Sequence, residues 1–175
     1  MKKYELTEET IQIDENKTLY RIKALKDFGD VKAGDLGGYV ESESNLSHEG
    51  NCWIYDEAKV YDYAIISGSA KISDSAEVFC SACISGSARI SDSAWISDSA
   101  IISDSARISG SACIYGTARI SGSARISGSA EVYDSACIFG SARISDSAWI
   151  YGSAMIFGSA SVSGTSEISG DARIF

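Results

Sequence analysis

From residue 52 onward, hydrophobic and polar positions recur every six residues without a gap. Each unit reads Ala, a variable residue, Ile or Val, then Ser, Tyr or Phe, then Gly or Asp, then Ser. Ala88-Arg89-Ile90-Ser91-Asp92-Ser93 is a clean copy. Stepping by six from Ile54 to Ile174 meets only Ile or Val. The small position, from Cys52 to Ala172, is Ala everywhere except Cys52 and Ser166. Alternate side chains of an extended chain point to opposite faces, so Ala and Ile share one face and the variable residue and Ser/Tyr/Phe share the other. Gly/Asp-Ser then turns the chain, because Gly and Asp tolerate the positive φ of a tight corner. So short a strand buries its apolar side only if the coil closes on itself and stacks. The pattern predicts an all-β fold, a single-stranded left-handed parallel β-helix with three hexads per coil. Residues 52–175 give about seven regular coils, a prism roughly 33 Å long at about 4.8 Å per coil.

Residues 1–51 do not repeat in the same way. Thr10–Ile13 and Leu19–Ile22 alternate in period two around the polar stretch Asp14–Lys17, which predicts a β-hairpin. Ala24–Phe28 reads either as a helical turn or as a short strand. Counting back by six, Val40 and Leu46 fall on the small inward position and His48 on the Ile position. Solenoid ends are atypical because one end of the stack must be covered. Residues 1–51 are therefore expected to form an N-terminal cap with an irregular first coil, and residues 52–175 the solenoid.

Composition narrows the function classes. The net charge of −9 disfavours generic binding to nucleic acid or to an anionic membrane. The start of the chain lacks the apolar run of a signal peptide, and the five cysteines have no framework spacing, so a cytoplasmic protein with free thiols is expected. Cys80 and Cys83 form a CxxC, yet no second pair supplies the four ligands zinc needs. His48 is the single histidine, so a Ser–His triad has no partner residues. The corner Asp residues are interrupted by Gly or Cys, so no calcium cage recurs. No catalytic residue, metal or cofactor is assigned.

The hexad pattern resembles the hexapeptide-repeat superfamily of left-handed β-helices over roughly residues 36–175. Val31-Lys-Ala-Gly-Asp-Leu-Gly-Gly-Tyr-Val40 and Ser44-Asn-Leu-Ser-His-Glu-Gly-Asn51 are similar to a narrower group, the YdcK-like bacterial and prophage proteins. Some of these carry polymer-forming or transferase labels, without an established activity. The best-known superfamily members are acyltransferases that use a His base and a loop breaking out of the coils. The repeat here has no such insertion and its only His lies in the cap, so the resemblance does not carry an acyltransferase site onto this chain.

Residues 18 apart stack, so the outward positions sort into three ladders. The first holds Lys71, Arg89, Arg107, Arg125 and Arg143. Neighbouring unit charges about 4.8 Å apart repel by about 0.9 kcal/mol even in water. Asp74, Asp92, Asp104 and Asp146 are the expected local partners of Lys71, Arg89, Arg107 and Arg143. The ladder reads either as a solvated face or as a docking strip for an acidic partner. The second face is aromatic and acidic: Glu77, Trp95, Tyr115, Glu131, Tyr133, Trp149 and Tyr151. Its rings stabilise the stack, and they also suit a protein interface. The third is apolar, with Ile65, Cys83, Ile101, Cys137, Phe139, Met155, Phe157 and Phe175. Outward Ile, Met and Phe have no core to fill and point to an interface between copies. Phe175 closes the sequence in mid-hexad, where an open coil would invite end-to-end pairing.

Together these features read as a non-enzymatic, rigid scaffold for protein–protein interaction that associates with itself or with a host protein. An alternative is a phage-encoded inhibitor of a host defence or nucleic-acid enzyme whose carboxylates imitate phosphates. A third reading is acyl transfer to a small acceptor, which needs acyl-CoA bound between neighbouring prisms.

Overall fold

The computed structural model describes residues 2–175. Its elements are an N-terminal strand pair, β1 (Tyr4–Asp14) and β2 (Lys17–Ala24), then β3 (Leu36–Val40), a single 3-10 turn (Glu43–Asn45), and a succession of two-residue strands from Trp53–Ile54 to Arg173–Ile174. These form one mixed sheet of ten strands and two parallel sheets of seven around one continuous core. The protein is an all-β parallel β-solenoid of about eight turns. No helix among the described residues is long and apolar enough to cross a membrane.

The pairing register follows from the repeat. Ile90 lies beside Ile72 and Ile108, and Arg89 beside Lys71 and Arg107. Every rung thus stacks on the residue 18 positions away, like on like. The inward Ile/Val and Ala side chains from Ile54 to Ala154 are almost completely buried, while the variable position faces out. Burying one Ile side chain stabilises by about 1.5–3 kcal/mol, and each contributes only inside a closed coil.

The corners carry the second structural device. Asp92, Asp98, Asp104 and the other corner Asp residues adopt φ between 54° and 61°. Asp92 Oδ2 accepts the N–H of Gly110 at 2.8 Å, Asp104 that of Gly122 at 2.9 Å, and Asp146 that of Gly164 at 2.9 Å. Asp74 accepts the N–H of Asp92 at 3.2 Å. Each carboxylate ties its corner to the equivalent corner of the next coil. Where the corner is Gly, the next coil lies close: a Cβ on Gly128, at φ +72°, would meet the Asp146 carbonyl oxygen at 2.6 Å.

The hairpin is present and longer than the sequence suggested, with Tyr4 opposite Ala24 and Asp14 opposite Lys17. β3 pairs antiparallel with β2 and parallel with the Lys59–Val60 strand, so the hairpin extends one face of the solenoid. Ala24–Phe28 forms no helix. β2 ends at Ala24, and Phe28 and Val31 close a small antiparallel bridge around Gly29 and Asp30.

The first coil corrects the counting by six. Val40 pairs with Val60 and Leu46 with Ile66, both 20 residues on. Both therefore stand on the Ile ladder, not on the small position, and two extra residues lie between Leu46 and Ile54. His48 falls in that longer connection and outside the inward column. The extra length accommodates Tyr4, whose hydroxyl donates to the Glu43 and Leu46 carbonyls. Asn45, fully buried, anchors the same coil by donating to the carbonyls of Asp62 and Ala64 at 3.0 Å each.

Asp92→Ala is expected to destabilise the protein by about 1–2 kcal/mol, because Ala both loses the bond to Gly110 and pays the left-handed backbone penalty. Asp92→Gly loses only the bond and Asp92→Asn keeps an acceptor, so both should cost less. Urea unfolding midpoints of the three variants check the order.

Candidate functional site

The first outward face is the basic ladder. Lys71, Arg89, Arg107, Arg125 and Arg143 are direct neighbours in one sheet. The expected pairing with corner Asp does not occur, because those carboxylates turn along the axis to bond the next corner. Lys71 instead meets Asp30 of the cap, with Nζ 2.6 and 2.7 Å from its two oxygens. Tyr55 donates to the same carboxylate at 2.9 Å. Lys71, then Tyr55, hold the Asp30 carboxyl below its ordinary value. Arg89, Arg107, Arg125 and Arg143 are exposed and, among the described residues, meet no carboxylate within ion-pair distance.

Where the Gly29–Asp30 turn overhangs this face, two adjoining hollows form, of about 360 and 350 Å³. Asp30, Lys71 and Arg89 line both. Gly29, Asn51, Ser69 and Ser87 complete one, and Tyr55, Asp56, Ser73 and Ser91 the other. This is a concave, polar site with one uncompensated cation, Arg89, and a run of three more arginines leading away from it.

The aromatic–acidic face bears Trp95 and Trp149, each about half exposed. Beside them Tyr115, Tyr133 and Tyr151 stack in parallel at 4.9 and 5.0 Å, as Tyr61 and Phe79 do at 5.1 Å. The carboxylates of this face are held by hydroxyls and one amine. Glu77 accepts from Lys59 at 2.7 Å and Tyr61 at 3.1 Å, Glu131 from Tyr115 at 3.3 Å, and Glu167 from Tyr151. Burial first, and the Glu131 charge second, push the Tyr115 phenol up to about 12. Burial and Glu77 raise Tyr61 further, and burial with Glu43 raises Tyr4.

On the third face Ile65, Cys83, Ile101 and Phe139 are exposed, and Cys137, Met155 and Phe157 are half-buried. Phe139 stacks on Phe157 at 5.2 Å, and Phe175 meets Phe157 edge-on at 4.1 Å. Arg119 divides this surface between Ile101 and Cys137, so the apolar residues form two short groups.

The cap holds a cluster that the hexad pattern did not reveal. Lys3 is buried, its Nζ donating to the Cys52 carbonyl at 2.9 Å and lying 3.3 Å from Cys52 Sγ and 4.9 Å from the centre of the Phe28 ring. Desolvation lowers its pKa. His48 stacks on Tyr4 at 4.4 Å. Its Nδ1 accepts the Lys3 backbone N–H at 3.3 Å, and its Nε2 points at Glu43 Oε2, 3.5 Å away. The imidazole lone pair is thus engaged by backbone, and in this arrangement His48 has none free to take a proton from a substrate.

Of the residues singled out in the sequence, the basic ladder and the aromatic face are each brought together by the 18-residue stacking. Asp30, Tyr55 and the Lys3–Cys52 contact were missed. Asp30 and Lys3 belong to the non-repeating cap, where no period places them, and they meet Tyr55 and Cys52 of the first regular hexad. Ser97 interrupts the aromatic column, standing among Tyr61, Phe79, Tyr115, Tyr133 and Tyr151 at 18-residue steps.

A parallel β-solenoid with a polar cleft under its cap is the class of protein these features define. No protein-family model matches the chain. Over 79 residues, 41% of this chain, it is 44% identical to a protein of Escherichia coli (strain K12) named uncharacterized acetyltransferase YdcK. The match spans 24% of that protein, so this chain corresponds to about a quarter of its relative's length. The similarity to YdcK inferred from the cap residues therefore holds. The expectation of a non-enzymatic protein is corrected: the matched relative bears an acetyltransferase name.

Alkaline pH should unfold the protein. Phenols whose folded pKa is raised contribute stability that is fully present below their ordinary value of about 10 and is lost as pH rises through the folded values. Tyr115 at about 12, with Tyr4 and Tyr61 above it, places the loss from pH 10 upward. Phenolate absorbance and circular dichroism should change together there; phenols that all titrate near 10 in an intact fold would contradict the burial described.

Proposed function

We propose that this chain is the solenoid of an acyltransferase-type protein and that it binds an acyl-CoA-type donor at the cleft where the cap overhangs the basic face. The left-handed winding of the hexapeptide-repeat superfamily belongs to this reading. The single observation that carries it is the run of four exposed arginines with no carboxylate partner, Arg89 to Arg143, leading from a cleft of about 360 Å³. The acetyltransferase name of the matched relative supports the same class.

The chemistry of the donor fits the site. A nucleotide-linked thioester presents phosphate groups, and Arg offers planar, bidentate donors to phosphate. Lys71 is already neutralised by Asp30, so it orients the cleft wall, while Arg89 offers its charge to the ligand. Tyr55, on the same wall, carries the Lys71 ammonium over its ring at 5.4 Å and holds Asp30 with its hydroxyl. The protein's part in this reading is to bind and orient the donor on a rigid surface, which lowers the ordering cost of binding. His48 is not assigned as the base, because its Nδ1 already accepts the Lys3 N–H.

Acetyl-CoA, CoA and 3′-dephospho-CoA should each raise the melting temperature, with the 3′-phosphate compounds giving the larger shift. Arg89→Glu should weaken CoA binding at least about tenfold, the loss of one charge-assisted contact. No thermal shift with any CoA compound, or equal binding by Arg89→Glu, would sink this reading.

A further inference from the structure

We propose that Lys3 and Cys52 form a redox modification site, at which peroxide oxidation of the thiol joins Lys3 Nζ to Cys52 Sγ by a covalent S–N bond and fastens the cap to the first coil. The inference does not depend on the acyl-donor reading. Its first support is placement. In the inward small column, from Cys52 to Ala172, Cys52 is the one thiol; the other members are Ala and a single Ser. Among the described residues Lys3 is the one buried cation, 1% exposed. No carboxylate among them lies within ion-pair distance of it. The two groups meet across 49 residues of sequence, with Nζ 3.3 Å from Sγ. The core's single inward thiol thus stands where the single buried amine reaches.

The surroundings hold both atoms in place. Lys3 Nζ donates to the Cys52 carbonyl at 2.9 Å, which fixes the amine beside the sulfur of the same residue. On its other side Sγ faces the carbonyl oxygens of Ser47, Glu49 and Ile66 at 3.5 to 3.7 Å. A neighbouring ammonium stabilises the thiolate, which is the form that peroxide oxidises. Desolvation lowers the Lys3 pKa, so the same group also reaches the free-amine form whose lone pair attacks sulfur.

The chemistry takes two steps and one peroxide. The Cys52 sulfur attacks a peroxide oxygen, the O–O bond breaks, and the departing hydroxide leaves as water with the thiol's proton. The product is a sulfenic acid, which condenses with nitrogen. The Lys3 amine lone pair then attacks the sulfenyl sulfur, the S–O bond breaks, and hydroxide leaves as a second water with an amine proton. Sulfur gives up two electrons and peroxide takes them, so the linked chain has two hydrogens fewer than the reduced one. Peroxide, hardly larger than water, reaches the buried Sγ when the cap opens locally, and the new bond then prevents that opening. The link closes a loop of about fifty residues, so it stabilises the fold by narrowing the unfolded chain.

Hydrogen peroxide is the probe. After treatment of the folded chain, mass spectrometry of proteolytic fragments should find the Lys3 peptide joined to the Cys52 peptide, lighter than their sum by two hydrogens and parted again by dithiothreitol. The combined variant Cys80→Asp, Cys83→Ser, Cys113→Ser and Cys137→Ser removes disulfides as another source of that loss. Asp already fills the same corner at Asp62 and Asp98, and Ser the same outward position of the hexad at Ser161. The linked form of this variant should melt several degrees above its reduced form, and the amide hydrogens of β1 should exchange more slowly. Lys3→Arg keeps a donor for the Cys52 carbonyl, but its guanidinium stays protonated and is no nucleophile, so peroxide should there give sulfinic and sulfonic acids without a link. Cys52 left unchanged, or carried to sulfinic acid in the folded chain with Lys3 intact, would overturn the inference. So would a link that forms as fast in urea as in the folded state, or one that leaves both melting and exchange unaltered. These readouts use the intact pair, so a variant that does not fold leaves the test standing.

Discussion

The whole structure rests on the stacking of inward Ile and Ala at 18-residue intervals. A two-residue strand has almost no stability alone, because it fixes backbone dihedrals for few hydrogen bonds and hides no apolar surface. Closing three such strands into a coil hides one side of each, and stacking coils supplies every remaining backbone partner. Ile90 against Ile72 and Ile108 is the local form of that constraint. It also forces like onto like outside, so any residue type placed at one step of 18 becomes a ladder.

That forced likeness is costly for charge, and the corners show how it is managed. Four arginines repel one another along one sheet, and the nearest carboxylates are diverted to backbone N–H groups of the next corner. Stability of the coil stack and electrostatic imbalance of the face thus come from one choice of Asp. The result is a face whose four arginines have no carboxylate partner among the described residues. The aromatic face is the reverse case: equal ladder spacing lets rings stack, and a single Ser opens a gap of ring thickness.

The cap works by different rules. Its hairpin extends one sheet, its longer first connection makes room for Tyr4 and His48, and its turn at Asp30 reaches down to Lys71. Burying Lys3 against a carbonyl, a thiol and a ring, without a carboxylate, lowers its pKa and is tolerated because Cys52 O and the Phe28 face attract its ammonium. The cleft exists because the Gly29–Asp30 turn of the cap reaches over the Lys71–Arg89 face, a contact the repeat alone never produces.

The sequence by itself determined the parallel solenoid, the inward columns and the composition of the three outer ladders, because a strict period translates directly into position. Tertiary structure decided everything that depends on contacts out of period. The two extra residues between Leu46 and Ile54 moved Val40, Leu46 and His48 from their counted places. The corner carboxylates bond the axial N–H of the next corner, 18 residues on, and not the arginine that stands beside them in sequence. Asp30 reached Lys71 across 41 residues. The gap at Ser97 was written in the chain as one odd letter, but only the stacking of the rings on either side gave it a shape, a hollow between Phe79 and Tyr115.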